Sequence, residues 1–438
     1  MQAGSDSFMA STPHNPAAYQ PVRAPRGTAL SCKGWQQEAV LRLLLNSVDP
    51  DVAERPLDLL ISGAAGKAAA DQDSLQSIIA SLRTIESGET LLVKAGKPAG
   101  ISCTTSRSAR VIAVNESGGQ PYGNWLYAGT QTALPVLYEC YGAAARAYFG
   151  GTLSGKLVVG GGMGGAGGAQ PLAAALHGAA FLGIDADAER IKRRVKTGYC
   201  EVMVNNLDEA LRMLKNAVRQ GKSVTIGLIG DCADVFPELA RRGVVPDVLS
   251  DYTPAQGRAA AQGQAAGELK KLGTLLLDDS GGADSLGALF ADGWRLATWL
   301  ALSGEPADIA RLDRLALEMF PGDERIQRWL PIAGKYVRFQ GLPARVAWIK
   351  QRSLGRLAGA VNELVARGEI SAPILFGCRL APSAPGASDP GAAQANGSGW
   401  TWFAGDTSAR WPNAASAQAI VADGTPDAAE RLSHWTVP

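Results

Sequence analysis

Residues 156–170 read KLVVGGGMGGAGGAQ. The apolar run Leu157–Val159 lacks the alternation of a half-wet strand and predicts one buried on both faces. It runs into Gly162-x-Gly164-x-x-Gly167, a GxGxxG in the place where a strand turns into a helix. Gln170 to Phe181 is expected as a helix of small residues, and Phe181 to Asp185 as the next strand. Each part has a physical task. The glycines allow a tight turn and close approach of the backbone to a pyrophosphate, and a helix N-terminus offers free N–H groups to an anion. Asp185, eighteen residues past Gly167, can accept hydrogen bonds from a ribose diol, which favours NAD over NADP. A glycine-rich turn with only a packing role is the competing reading. No GK[ST] follows, so the stretch is not a P-loop.

Outward from this unit the alternation continues. Leu207 to Arg219 predicts an amphipathic helix, SVTIGLIGD (223–231) a strand, Cys232 to Arg242 a helix and DVLSD (247–251) a strand. Strands alternating with helices imply a parallel sheet covered on both faces. Upstream, Ser31 to Leu45 predicts a helix capped by Ser31, and Leu91 to Val93 a short strand. Two tracts, 254–268 (PAQGRAAAQGQAAGE) and 381–399, carry no hydrophobic period and read as loops or linkers. Trp400, Trp402 and Phe403 fit a half-buried strand.

Composition bounds the rest. The 438 residues hold 42 Lys plus Arg against 41 Asp plus Glu, a net charge of +1 that argues against nucleic-acid and membrane-surface partners. No apolar run approaches the ~18 residues of a transmembrane helix. The first 21 residues are polar, lack the apolar core of a secretory signal and read as a disordered leader. Six scattered cysteines with no CxxC pair read as reduced thiols, which points to the cytoplasm and away from zinc. Only three histidines occur, His14, His177 and His434, so a His-built metal site or a Ser-His-Asp triad is not expected.

A set of ordered blocks then resembles the urocanase (urocanate hydratase) family. They run RAPRGTALSCKGWQQEAVLRLLLNSVDPDVAERP, ETLLVKAGKPAG, NWLYAGTQ, GGAGGAQPLAAALHGAA, TGYCEVMVNNLDEAL, ELARRGVVPDVLSD, LALSGEP, FQGLPARVAWI and NELVARGEISAPILFG. They cover residues 22–110, 124–251 and 296–377. The resemblance implies an α/β protein in which a Rossmann-like NAD-binding domain with a parallel sheet is inserted between N- and C-terminal segments that form a second α/β domain. The expected divisions are 22–128, 129–284 and 285–438. It also implies a cytoplasmic homodimer that binds NAD+ tightly. In that family the nicotinamide ring acts as an electrophile toward the substrate's imidazole, an electron sink rather than a hydride carrier.

Carried over position by position, Gly165, Ala166 and Gly167 match the family's phosphate-binding Gly-Met-Gly. Asp185 stands for its ribose-binding Glu, Arg190 for a cofactor-contacting Arg, and Asp231 with Cys232 for an Asn-Ala pair. Gly63 keeps the first glycine of a Gly-Gly pair, with Ala64 for the second, and Thr253 falls in the segment that follows the fourth strand. The departures matter as much. Gln256 replaces a site histidine, and Gly377-Cys378-Arg379-Leu380-Ala381-Pro382 replaces a polar GRDHLDxGS. A cofactor-contacting glutamine is lost near Tyr122–Trp125, and a late HHGGG has no counterpart.

The candidate catalytic residues are Arg345 and Asp231. The Arg345 guanidinium can grip a substrate carboxylate bidentately, or it can be a structural partner of an interface acid. Asp231 can serve as a base or a cofactor ligand, or cap the helix that starts at Cys232. Cys378 and His177 read as packing residues. The expected function is an NAD+-dependent lyase or hydratase acting on a small molecule other than urocanate. The alternatives are a catalytically inactive NAD-binding or partner-binding homologue, and a repurposed enzyme of a specialised biosynthetic pathway.

Overall fold

The computed structural model describes residues 21–62, 66–86, 88–103, 110–114, 125–253, 259–277, 283–379, 401–403 and 417–433. The N-terminal segment supplies helix α1 (Trp35–Ser47), the hairpin β1 (Leu60–Ser62) and β2 (Gly66–Lys67), helix α2 (Gln72–Thr84), and strands β3 (Glu89–Lys94), β4 (Lys97–Cys103) and β5 (Arg110–Val114). Helix α3 (Leu134–Tyr148) leads into the central unit. There β6 (Leu157–Gly161), α4 (Gln170–Ala175), β7 (Ala180–Asp185), α5 (Ala188–Thr197), β8 (Val202–Val204) and α6 (Leu207–Gln220) alternate. They continue as β9 (Val224–Ile229), α7 (Cys232–Arg241), β10 (Val248–Asp251), α8 (Ala259–Lys271) and β11 (Leu275–Leu276). The C-terminal segment adds α9 (Ala283–Ala291), β12 (Trp294–Ala301), α10 (Pro306–Met319), α11 (Glu324–Tyr336), β13 (Ala344–Lys350) and α12 (Gln351–Ala366). It closes with β14 (Ile374–Arg379), β15 (Thr401–Phe403), β16 (Ala417–Ala422) and α13 (Pro426–Ser433).

Two main sheets result. The central one has six strands in the order β11-β10-β6-β7-β9-β8, every pair parallel. The other has eight, β13-β12-β14-β16-β15-β5-β3-β4, drawn from both chain ends. The Rossmann-like unit is therefore inserted into a second α/β domain, as the sequence implied. The strand interiors explain why: all six residues of Ala180–Asp185 are buried, as continuous apolar runs in a doubly covered sheet must be. The helices have legible ends. Asn206 caps α6 through the N–H groups of Asp208 and Glu209 at 2.8 and 3.2 Å, and Gly221 stops it at φ +62. Asp187 and Gly198 do the same for α5. One apolar core joins the units, since Tyr141, Val158, Phe181 and Tyr199 pack in the same cluster as Trp299 and Phe376.

Three local expectations are corrected. The first helix starts at Trp35 after Gly34, with no side-chain cap. The Ser31 N–H and hydroxyl instead donate to Glu38 Oε2 at 2.8 and 2.9 Å, because Glu38 is buried with Arg42 and draws every nearby donor. The helix expected over Gln170–Phe181 stops at Ala175, since the chain turns at Gly178 (φ +91) to enter β7. The tract 254–268 is not all loop: from Ala259 it is α8, whose Ala265 and Leu269 are buried in the same cluster as Phe236 and Leu239 of α7. The strand expected at Trp402 and Phe403 is β15, antiparallel to β5. Residues 1–20, Gly63, Ala64, Gln256 and 381–400 lie outside the described residues. No helix among the described residues is long and apolar enough to cross a membrane.

Candidate functional site

In the central sheet β6 has β7 on one side and β10 on the other, so the chain leaves β6 in one direction and fills the opposite side later. Ligands of open parallel sheets gather in the crevice beyond the carboxyl ends of such strands. Those ends carry the glycine loop after Gly161, Asp185 at the end of β7, Asp231 and Cys232 after β9, and Asp251 to Thr253 after β10. Sequence positions ninety residues apart thereby meet: a Cβ on Gly161 would run into the Asp251 carboxylate and lie 3.1 Å from Cys232 Sγ.

The loop is braced rather than slack. Gly162 turns at φ +77, open to glycine at little cost. Its N–H donates to the Ile184 carbonyl at 2.8 Å, and the Met163 N–H to Asp185 Oδ2 at 2.7 Å. The other oxygen, Asp185 Oδ1, accepts from the Asp187 N–H at 2.9 Å, and Arg190 Nη1 stands 3.6 Å from Oδ2. Asp185 is thus buried with both oxygens engaged, tying the loop to the strand end. The Gly165 N–H donates to Glu54 Oε1 of the N-terminal segment. A carboxylate here fills the place that a ligand's anionic oxygen takes on such a loop. The glycines also admit neighbours: a Cβ on Gly165 would crowd Tyr127 and Ser62, and one on Gly168 would lie 2.5 Å from Arg194 Cδ.

Beside the loop lies a cleft of about 670 Å³ between α5, residues 50–55 and residues 338–340. Gly164, Glu54 and Arg194 line it. The Arg193 guanidinium closes one end by donating to the Ala53 carbonyl at 2.6 Å and to that of Pro50. Arg194 is 2% exposed, and its Nε and Nη1 have no hydrogen-bond partner. Burial pushes its pKa down, opposed by Tyr127, and burial pushes the Tyr199 and Tyr127 phenols up.

The other candidates fall as follows. Asp231 accepts the Ala233 N–H at 2.8 Å and is the N-cap of α7. Cys232 is buried, and burial followed by the Asp251 charge drives its thiol up, so it is not a nucleophile at neutral pH. Thr253 donates from N and Oγ1 to Asp251 Oδ1 at 2.9 and 2.6 Å. Arg345 is not an open fork. It lies on β13 of the other sheet, 3% exposed, with Nε 3.0 Å and Nη2 2.7 Å from Asp313 Oδ2. Its bidentate capacity is spent on an internal acid. Cys378 is buried on β14 with its thiol pushed up to about 12, and the His177 ring stacks on Tyr138 with Nε2 2.8 Å from the Tyr138 carbonyl. Glu54, Arg194 and Asp251 had no role in the sequence reading. Glu54 sits in the AERP block, but nothing local shows that it reaches a loop 111 residues away.

Family models match along the chain in order: the urocanase N-terminal domain at 22–127, the urocanase Rossmann-like domain at 129–263 and the urocanase C-terminal domain at 288–388. The chain belongs to the urocanase family. Among solved structures, shikimate 5-dehydrogenase from Listeria monocytogenes, in complex with shikimate and NAD, is similar at 15% identity over 36% of this chain and 58% of that one. The TM-score is 0.22, so this likeness carries no argument. Urocanase-type chemistry and a nucleotide site at the loop after β6 are thus the frame in which the residues above are read.

Proposed function

We propose that this chain is an NAD+-dependent lyase of the urocanase type whose substrate is a small molecule other than urocanate. The observation that carries the reading is the loop Gly162–Gly168 at the switch point, with an acid hydrogen-bonded to its Gly165 N–H. A loop that holds a carboxylate oxygen fits a pyrophosphate oxygen in the same place. Gly165, Ala166 and Gly167 would hold the pyrophosphate, and Asp185 and Arg190 would steady the ribose side. Bound NAD+ supplies an electron sink that no side chain provides. The chain's own part is to orient, enclose and move protons. Asp231 fixes the start of α7 over the crevice. Asp251, exposed at the end of β10 and held by Thr253, is the carboxylate that can take a proton from water there.

The departure from urocanate rests on Arg345 and on the altered segments. A substrate carboxylate needs an uncommitted guanidinium, and Asp313 already holds that of Arg345. The same observation favours a second reading, a family member that binds nucleotide without turnover. The test has two parts. A mass spectrum of the small molecules released from denatured protein should contain NAD, and its absence, with no NAD+ binding by calorimetry, overturns the cofactor. Urocanate absorbance followed with protein and NAD+ should decay more slowly than about one turnover per second, an ordinary enzyme rate. Faster decay restores urocanate as the substrate.

A further inference from the structure

The cleft along α5 holds more positive charge than its acids answer. Lys192 is paired with Glu189 at 2.6 Å, Arg190 with Asp185 and Asp187 at 3.6 and 3.7 Å, and Arg55 with Asp58 at 3.5 Å. Asp51 is turned to Arg23 at 2.9 Å. Arg193, Arg194, Lys196 and Arg338 line the same cleft, and none has a carboxylate within 4 Å among the described residues. Arg193 and Arg338 donate only to backbone carbonyls, of Ala53 and Pro50 and of Lys196 respectively. The decisive member is Arg194. A guanidinium buried to 2% exposure with Nε and Nη1 unpartnered is a costly arrangement unless an anion completes it.

We propose that this cleft is a phosphate-monoester site, and that on a dinucleotide it takes the extra phosphate that distinguishes NADP+ from NAD+. The inference rests on the nucleotide reading above and deepens it. Position supports it: α5 begins three residues after Asp185, so a ligand with its pyrophosphate on the glycine loop runs its adenosine end along α5. Four unanswered cations call for a multivalent anion, and guanidinium groups match phosphate oxygens. The usual objection to NADP+ is an acid at the second strand end that repels the phosphate. Here that acid, Asp185, has its charge spent on two backbone N–H groups and Arg190. The sequence-level preference for NAD is therefore reversed by what surrounds the carboxylate. The volume of about 670 Å³ suits part of a nucleotide.

The test is calorimetry on the full chain with NAD+, NADP+ and inorganic tripolyphosphate, for the wild type, Arg194→Met, and the double variant Lys196→Ala with Arg338→Ala. Both residues of the double variant are exposed, so it keeps the fold if Arg194→Met does not. NADP+ should bind at least tenfold more tightly than NAD+. The double variant should cut that preference to within about threefold while NAD+ affinity stays the same. If NAD+ binds and NADP+ binds no more tightly, the phosphate site is refuted and the NAD+ reading stands. If neither dinucleotide binds, the NAD+ reading falls. Tripolyphosphate binding weakened tenfold or more in the double variant would then uphold a phosphate site for another ligand, and its absence would refute the site as well.

Discussion

The substitution Gly→Ala should have opposite signs at Gly167 and at Gly263, and the structure gives the reason. Alanine in place of glycine reduces the freedom of the unfolded chain, a gain of about 0.4–1 kcal/mol wherever the native backbone tolerates it. Neither glycine has positive φ, so both backbones tolerate it. Around Gly263, on the exposed side of α8, nothing lies within 4 Å of the new Cβ. Gly263→Ala should therefore stabilise by about that amount, helped by helix propensity. At Gly167 the new Cβ would overlap the Gly162 carbonyl oxygen and lie 2.8 Å from Tyr252 Cβ. Carbon atoms pack at roughly 3.5–4.0 Å, so the loop must open by about 1 Å. Overpacking of that kind costs about 1–3 kcal/mol and outweighs the entropy gain, leaving a net loss of about 1–2 kcal/mol. For a unit of this size that is a fall of about 2–8 °C in the transition of the Rossmann-like domain. The same movement breaks the loop geometry that receives the pyrophosphate, so NAD+ affinity should fall at least tenfold. The assays are scanning calorimetry and isothermal titration. A Gly167→Ala protein as stable as the wild type with unchanged NAD+ affinity would refute the reasoning.

Arg345→Met strands the buried Asp313 carboxylate and should destabilise by about 3–5 kcal/mol, with Arg345→Lys recovering part of it in thermal melts. Burial already raises the Asp313 pKa against the pull of Arg345, and removing the arginine raises it further. A carboxyl that is protonated more readily folded than unfolded loses stability as pH rises. The Arg345→Met deficit should therefore shrink as pH is lowered toward the unfolded carboxyl value of about 3.9, and a deficit independent of pH would count against the ion pair. Cys32, Cys140, Cys200, Cys232 and Cys378 are all buried, and the Cys32 and Cys378 thiols are pushed up to about 12. All five should resist a disulfide reagent at pH 8 in native protein and react in denaturant, followed by peptide mass mapping.

The parallel sheet was legible because a doubly covered strand has only one sequence solution, an apolar run bounded by turn residues. LVVGG, AFLGID and VTIGLI are such runs, and each is a strand. Capping chemistry made α6 legible to within a residue. Ser31 misled because the same chemistry is not exclusive: the hydroxyl that could cap a helix also satisfies a buried carboxylate, and the pair Glu38–Arg42 outbid the helix start. The tract 254–268 misled for the opposite reason. Alanine and glutamine give almost no amphipathic signal, yet they are sound helix formers, and two buried side chains, Ala265 and Leu269, dock α8.

The candidate site divides along a similar line. Gly165, Gly167 and Asp185 could be found because the turn, the close approach and the strand-end acid are set by residues near one another in sequence. What they do there is decided by residues that are not. Glu54 reaches the Gly165 N–H from 111 positions away, and Arg194 runs beneath Gly168 from the far side of β7. A motif can state that a loop accepts an anion; it cannot state which anion already stands there. Asp185 shows the consequence. By spacing alone it is a ribose acid. With Met163 N–H and Asp187 N–H on its two oxygens it is first a brace for the loop. Specificity for the cofactor then passes to the cations of α5, where Arg194 lacks the partners that every other element of the site supplies.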